Sequence, residues 1–164
     1  MTPRTPRASA ARPPGHARSA RGRGQAIPSL PDTTLLVAGP FDRLPARAVA
    51  GAIASGLRTG GRRSVDLARL SDAAEPTVAG FDARMRRARA VVIAQRRLAE
   101  AALQGSAAFE IATRARQAGV PCFAVTARNG LSAFDARVLD LQLVLEAADE
   151  PALRAAGRTL ARHM

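Results

Sequence analysis

From Thr33 onward, short apolar runs alternate with stretches of helical period, and that alternation confines the chain to one class of architecture. Thr33–Ala38 reads as a buried strand that Gly39-Pro40 ends, and Ala90–Ala94 is the clearest strand of all. Pro121–Thr126 and Leu141–Leu145 repeat the pattern, with Ser64–Leu67 as a weaker member. Between them lie helical stretches. Val49, Ile53 and Leu57 recur every fourth residue after Pro45 and before Gly60-Gly61, which stop the helix. Phe81, Met85 and Ala88 mark the inner face of a short helix whose other face carries Arg84, Arg86, Arg87 and Arg89, read as solvated. Ala108, Ile111, Ala112 and Ala115 line another that Gly119 ends, and Leu153, Ala156, Gly157 and Leu160 line a last one opened by Pro151. Ser132 reads as a helix cap. This order predicts an α/β fold: a mainly parallel, roughly five-stranded sheet with helices on both faces. Val37, Val92, Ile93, Phe123, Val125 and Leu143 are its expected core.

The 164 residues suit one domain, expected over residues 31–164. Residues 1–30 are expected to form a disordered tail, because Met1–Ser29 offers Ile27 alone as a large aliphatic residue besides Met1. The net charge of +12 divides evenly between tail and fold, since the tail holds six arginines and no acid. All 25 basic residues are arginine, a pattern that matches high-GC coding bias more than selection for a basic surface. A solvated tail, a start codon placed too far upstream and an arm that touches nucleic acid by counterion release all fit this composition.

Other classes are excluded. One cysteine, Cys122, precludes an intrachain disulfide and a cysteine zinc site, and its apolar strand neighbours make it a buried structural thiol. His16 and His163 alone cannot supply a histidine metal cluster. No apolar run reaches the length of a transmembrane helix, so no membrane partner is expected and the cytoplasm is the expected compartment.

In an open α/β sheet, ligands sit beyond the carboxyl ends of the strands. The loops to inspect are therefore Gly39–Leu44, Ala68–Gly80, Gln95–Gly105 and Ala127–Leu131.

Three of these loops resemble motifs of the type-I glycerate kinases. Val37-Ala38-Gly39-Pro40-Phe41-Asp42-Arg43-Leu44-Pro45-Ala46 is similar to that family's opening A-P-D-S-F-K-G-S-L-S-A motif. Ser71-Asp72-Ala73-Ala74-Glu75-Pro76-Thr77 is similar to its A-D-G-G-E-G-T. Val92 to Ala107, followed by Ala118-Gly119-Val120-Pro121, resembles its third block, with Arg97, Leu98, Leu103 and Gly105 in place. The resemblance implies a shortened kinase that keeps one α/β domain and lacks an inserted second one. It also implies substrate- or phosphate-binding roles for Phe41, Asp72, Glu75, Thr77, Arg97, Gly105 and Ser106, with ATP and Mg2+ as cofactors if activity survives.

The departures from those motifs remove most of the chemistry. Asp42 and Ser106 stand where the family has lysines, and Ala99 where it has an aspartate. Phosphoryl transfer rests on positioning and on cations that neutralise the moving group, so no residue is assigned a catalytic role and no metal site is assigned. Asp72 and Glu75 could still offer oxygen ligands to Mg2+, and Arg96 or Arg97 could replace a lysine at a phosphate; the alternative is ordinary loop acids and solvated arginines.

Two functional expectations follow. The first is a glycerate-kinase-like protein, weakly active or inactive on its own, or a working small-molecule kinase if a partner subunit replaces the lost domain. The second is a non-catalytic regulatory or partner-binding protein with an arginine-rich arm. The absence of tyrosine and tryptophan removes the usual base-stacking residues and weighs against nucleic acid as a partner.

Overall fold

The computed structural model describes residues 32–70, 79–99 and 105–164. The expected tail, Met1–Ser29, lies outside the described residues. Five strands form one sheet: β1 (Thr33–Ala38), β2 (Ser64–Arg69), β3 (Ala90–Ala99), β4 (Cys122–Gly130) and β5 (Leu141–Glu146). The helices are α1 (Ala46–Thr59), α2 (Ala79–Arg87), α3 (Ala107–Gln117), α4 (Ala133–Val138) and α5 (Glu150–His163). The spatial order is β2-β1-β3-β4-β5, and every pairing is parallel.

The pleat sends alternate side chains into two separate cores. Leu36, Val92, Phe123 and Val125 pack under α1 and α5, against Val49, Ile53, Leu57, Leu153 and Leu160. Leu35, Val37, Ile93 and Ala124 pack on the opposite face against Phe81, Met85 and Ile111 of α2 and α3. Five of the six expected core residues are buried, and Leu143 is only partly so. Its strand is an edge of the sheet, so one flank of Leu143 has no neighbouring strand to cover it.

Helix boundaries follow local chemistry. Pro45 suits a first helical position by sequence but is the N-cap of α1, and Gly60 closes that helix. Ser132 and Asp135 form a reciprocal capping box on α4, which buries none of its residues. The Asp149 side chain accepts the Ala152 N–H at 2.8 Å to open α5. Arg84, read as solvated, instead forks onto Asp66, with Nε–Oδ2 at 2.8 Å and Nη2–Oδ1 at 2.7 Å, and so ties α2 to the edge strand β2.

The helices of the first core cross backbone to backbone at one pair of glycines. A Cβ added at Gly157 of α5 would land on Ile53 O and lie 2.9 Å from both Gly56 Cα and Leu57 N of α1. Gly56, one turn before Gly60, and Gly157, one turn before Ala161, form the seam.

Cys122 fits the expectation of a structural thiol. It is 2% exposed, and burial, with the Asp140 charge adding to it, pushes the thiol up to about 12. The folded state favours the neutral form, so this contribution is intact below the ordinary thiol range and is lost as pH climbs toward 12. A thiol-reactive dye at neutral pH should leave the native protein unlabelled and label one thiol per chain in denaturant. Rapid native labelling would contradict the burial.

Candidate functional site

The C-terminal edge of the sheet contains a topological switch. Strands β1 and β3 are neighbours, yet the connection from β1 leads to α1 on one face while that from β3 leads to α3 on the other. Crevices that bind ligands in open α/β sheets form at such points.

The β1 side of the crevice is a closed tight loop. Phe41 N–H donates to Leu44 O at 2.8 Å, and Leu44 N–H donates back to Phe41 O. Phe41 is 1% exposed and anchors the loop in the α1/α5 core. Asp42 follows with a left-handed φ of 33°, a conformation that aspartate tolerates better than most residues. Its carboxylate meets Arg96 of β3 at 2.9 Å across the switch point, with both side chains mostly in solvent. Beside the first turn of α1, a cavity of about 290 Å3 is lined by Ala46, Ala50 and Leu67, with Arg47 and Arg69 among its walls.

The β3 side differs from the sequence expectation. Gln95–Gly105 reads as a loop, but β3 runs on to Ala99 and β4 to Gly130. The two strands stay in register beyond the last β1 partner of β3, which is Ala94, as a two-stranded ribbon pairing Arg97 with Arg128, Leu98 with Asn129 and Ala99 with Gly130. Thr126 stands at its root, fully buried. Glu146, at the end of β5, accepts the Asn129 N–H at 2.8 Å and steadies the tip.

Arg97 and Arg128 are direct cross-strand partners, both exposed, with no acid paired to either among the described residues. Like charges placed opposite each other weaken a sheet, so the pair is a local cost that an anion would offset. Among the described residues no three His, Cys, Asp or Glu side chains converge to hold a metal ion.

Of the seven residues expected at the site, the four described ones, Phe41, Arg97, Gly105 and Ser106, lie at the C-terminal edge of the sheet but differ in exposure and role. Arg97 is on the ribbon and accessible. Phe41 is at the right edge but buried as an anchor. Ser106 caps α3, its Oγ accepting the Phe109 N–H at 3.2 Å, and Gly105 precedes it at a φ of 77°. Asp72, Glu75 and Thr77 lie outside the described residues. Arg128 and Thr126 are missing from the expected set; an arginine one step past a strand's apolar run carries no pattern that singles it out.

Solved structures share this fold. A flavodoxin from the domain Archaea aligns at 13% identity over 80% of this chain and 97% of its own, with a TM-score of 0.51. A diflavin flavoprotein A3 from Nostoc sp. aligns at 16% identity over 80% of this chain and 91% of its own, with a TM-score of 0.50. The fold is flavodoxin-like. No protein-family model matches the sequence, nor does any curated protein.

This finding corrects the glycerate-kinase reading. The neighbours in structure are flavodoxin-like and not glycerate kinases, and no family model supports the resemblance. Most of the residues that carried it have other work here. Gly119 is a helix stop with a φ of 68°, and Val120 and Pro121 lead into β4. Leu98 is packed in the α2/α3 core. Repeated strand–helix units place such residues at equivalent points in unrelated families, so the matched order reflects shared architecture. The phosphotransferase and pseudoenzyme descriptions fall with the resemblance, and ATP and Mg2+ lose their support. Among the described residues no helix is long and apolar enough to cross a membrane.

Proposed function

We propose that this chain is a binding module for an anionic ligand, taken through a phosphate group by Arg97 and Arg128 at the outer end of β3 and β4. The cross-strand pairing of two exposed arginines, without an acid partner among the described residues, is the observation that supports it. Guanidinium forks match phosphate oxygens in pairs, which favours a phosphate over a single-point anion. The described acids of this edge are engaged: Asp42 with Arg96, Glu146 with the Asn129 amide and Asp149 with the cap of α5. That engagement favours binding over acid–base catalysis.

Two of the structural neighbours are named as flavoproteins, which raises flavin mononucleotide as a ligand. The residues do not fit it. Phe41 and Leu44 exchange their backbone hydrogen bonds across the first loop, so those N–H groups are not offered to a phosphate there, and Asp42 adds a like charge. The chain has no tyrosine or tryptophan; Phe41, Phe81 and Phe123 are buried in the cores and Phe109 partly so, which leaves Phe134 of α4 as the exposed ring and no pair of rings to sandwich a flavin among the described residues.

The competing explanation is that the arginines guard an exposed strand edge, since β3 has no β1 partner past Ala94. Phosphate titration followed by amide chemical shifts, at constant ionic strength, separates the two. Two charge-assisted contacts amount to about 4 kcal/mol, a dissociation constant on the order of 1 mM. Arg97→Ala and Arg128→Ala should each weaken binding about tenfold or more while leaving circular dichroism unchanged. Shifts that are absent from the ribbon, or equal in both variants and wild type, would leave edge protection as the explanation.

A further inference from the structure

The geometry points to Thr126 as the positioning residue that holds Arg97 and Arg128 in their paired arrangement, an inference that rests on the anion-binding reading above. Thr126 is fully buried and carries one of only two buried polar side chains among the described residues. Its hydroxyl lies 3.1 Å from Arg96 O on β3 and 3.0 Å from Arg128 O on β4, and it accepts the Arg128 N–H at 3.3 Å. One hydroxyl proton is thus shared between two carbonyls while the oxygen receives a third group. Paired residues run from Val91/Cys122 to Gln95/Thr126 and resume at Arg97/Arg128, and the hydroxyl reaches the carbonyl of Arg96, at the step between them. The backbone of Thr126 also holds the chain just past β5, its carbonyl accepting the Ala147 N–H at 2.8 Å.

This residue therefore fixes both backbone groups of Arg128 and the carbonyl immediately before Arg97. A β-branched side chain has few rotamers, so the hydroxyl is held in place without further support. Valine has nearly the same shape but no hydroxyl, and would leave two carbonyls and an amide at the root of the ribbon without that partner. Serine would retain the hydroxyl. The predicted role is in orienting the arginines, since Thr126 itself is too buried to touch a ligand.

The experiment compares full-length wild type, Thr126→Val and Thr126→Ser by amide hydrogen exchange and by inorganic phosphate titration. In Thr126→Val the Arg128 amide should exchange about tenfold faster, with Val92 and Phe123 unchanged, and phosphate affinity should fall about tenfold. Thr126→Ser should keep both within about twofold, which rescues the function by chemistry and not by shape. Unchanged Arg128 exchange in Thr126→Val overturns the positioning role even if wild type binds phosphate. A folded Thr126→Ser that loses the affinity overturns it too, because packing of the methyl would then be the determinant. If Thr126→Val does not fold, the serine variant decides alone. Wild type that shows no phosphate response at the ribbon overturns the binding reading and this inference with it, whereas accelerated Arg128 exchange with unchanged affinity overturns this inference only.

Discussion

Gly157→Ala is expected to destabilise the protein by about 3 kcal/mol, the upper end of what overpacking a core costs. The direction is the opposite of what helix propensity gives, since alanine in place of an interior helical glycine is worth about 1 kcal/mol in favour of the helix. The reason is geometric. The new methyl would land on the Ile53 carbonyl and lie 2.9 Å from Gly56 Cα, and neither is a flexible side chain that can swing away. Either α5 lifts off α1, exposing Leu153 and Leu160, or the backbone of both helices shifts. Gly51→Ala supplies the control, because its Cβ would meet nothing within 4 Å and its position in α1 is exposed. Urea unfolding should therefore move in opposite directions for two chemically identical substitutions in helices. A Gly157→Ala midpoint at or above wild type would mean that the helices do not cross this closely.

Phe41→Ala should cost about 3–4 kcal/mol, as expected for removing a buried phenylalanine. Phe41 is 1% exposed and packs in the α1/α5 core from a loop position, so its loss both opens a cavity and frees the turn that sets Asp42 against Arg96. Phe41→Leu keeps most of the buried surface and should lose only about 1–2 kcal/mol. The same denaturation measurement checks both. A loss below about 1 kcal/mol for the alanine variant would place the ring outside the core. In a phosphate titration, folded Phe41→Leu should bind as wild type does, because the ring anchors a loop and is not offered to the ligand.

The sheet was legible because its strands are buried on both faces. Leu35-Leu36-Val37 and Val91-Val92-Ile93 are uninterrupted apolar runs, which is what a central parallel strand requires. The same rule hid the outer halves of β3 and β4. Gln95-Arg96-Arg97 and Ala127-Arg128-Asn129 continue the strand backbone into solvent, where no apolar alternation survives to signal it. What holds them extended is pairing between the strands and the buried Thr126 hydroxyl, and both involve residues about thirty positions apart. The β1/β3 crevice could be located from strand–helix order alone, since the carboxyl ends of strands are where connections diverge. Its occupants could not. Phe41 reads equally as a motif residue or an anchor until its exposure is known, and Arg84 looked solvated because its partner Asp66 lies on a different element. The misassigned family has the same origin: residues that end helices and begin strands recur wherever the architecture does.

The glycine seam has a consequence for how the chain is made. Gly56 and Gly157 meet in space from near opposite ends of the folded sequence, and Val49, Ile53 and Leu57 of α1 share one core with the sheet and with Leu153 and Leu160 of α5. During synthesis, α1 leaves the ribosome long before α5, so the core around Val49, Ile53 and Leu57 stays incomplete until Leu153 and Leu160 follow. Contacts of such long range form late and slow the closing of a fold. The seam between the two helices is therefore among the last contacts that the growing chain can make.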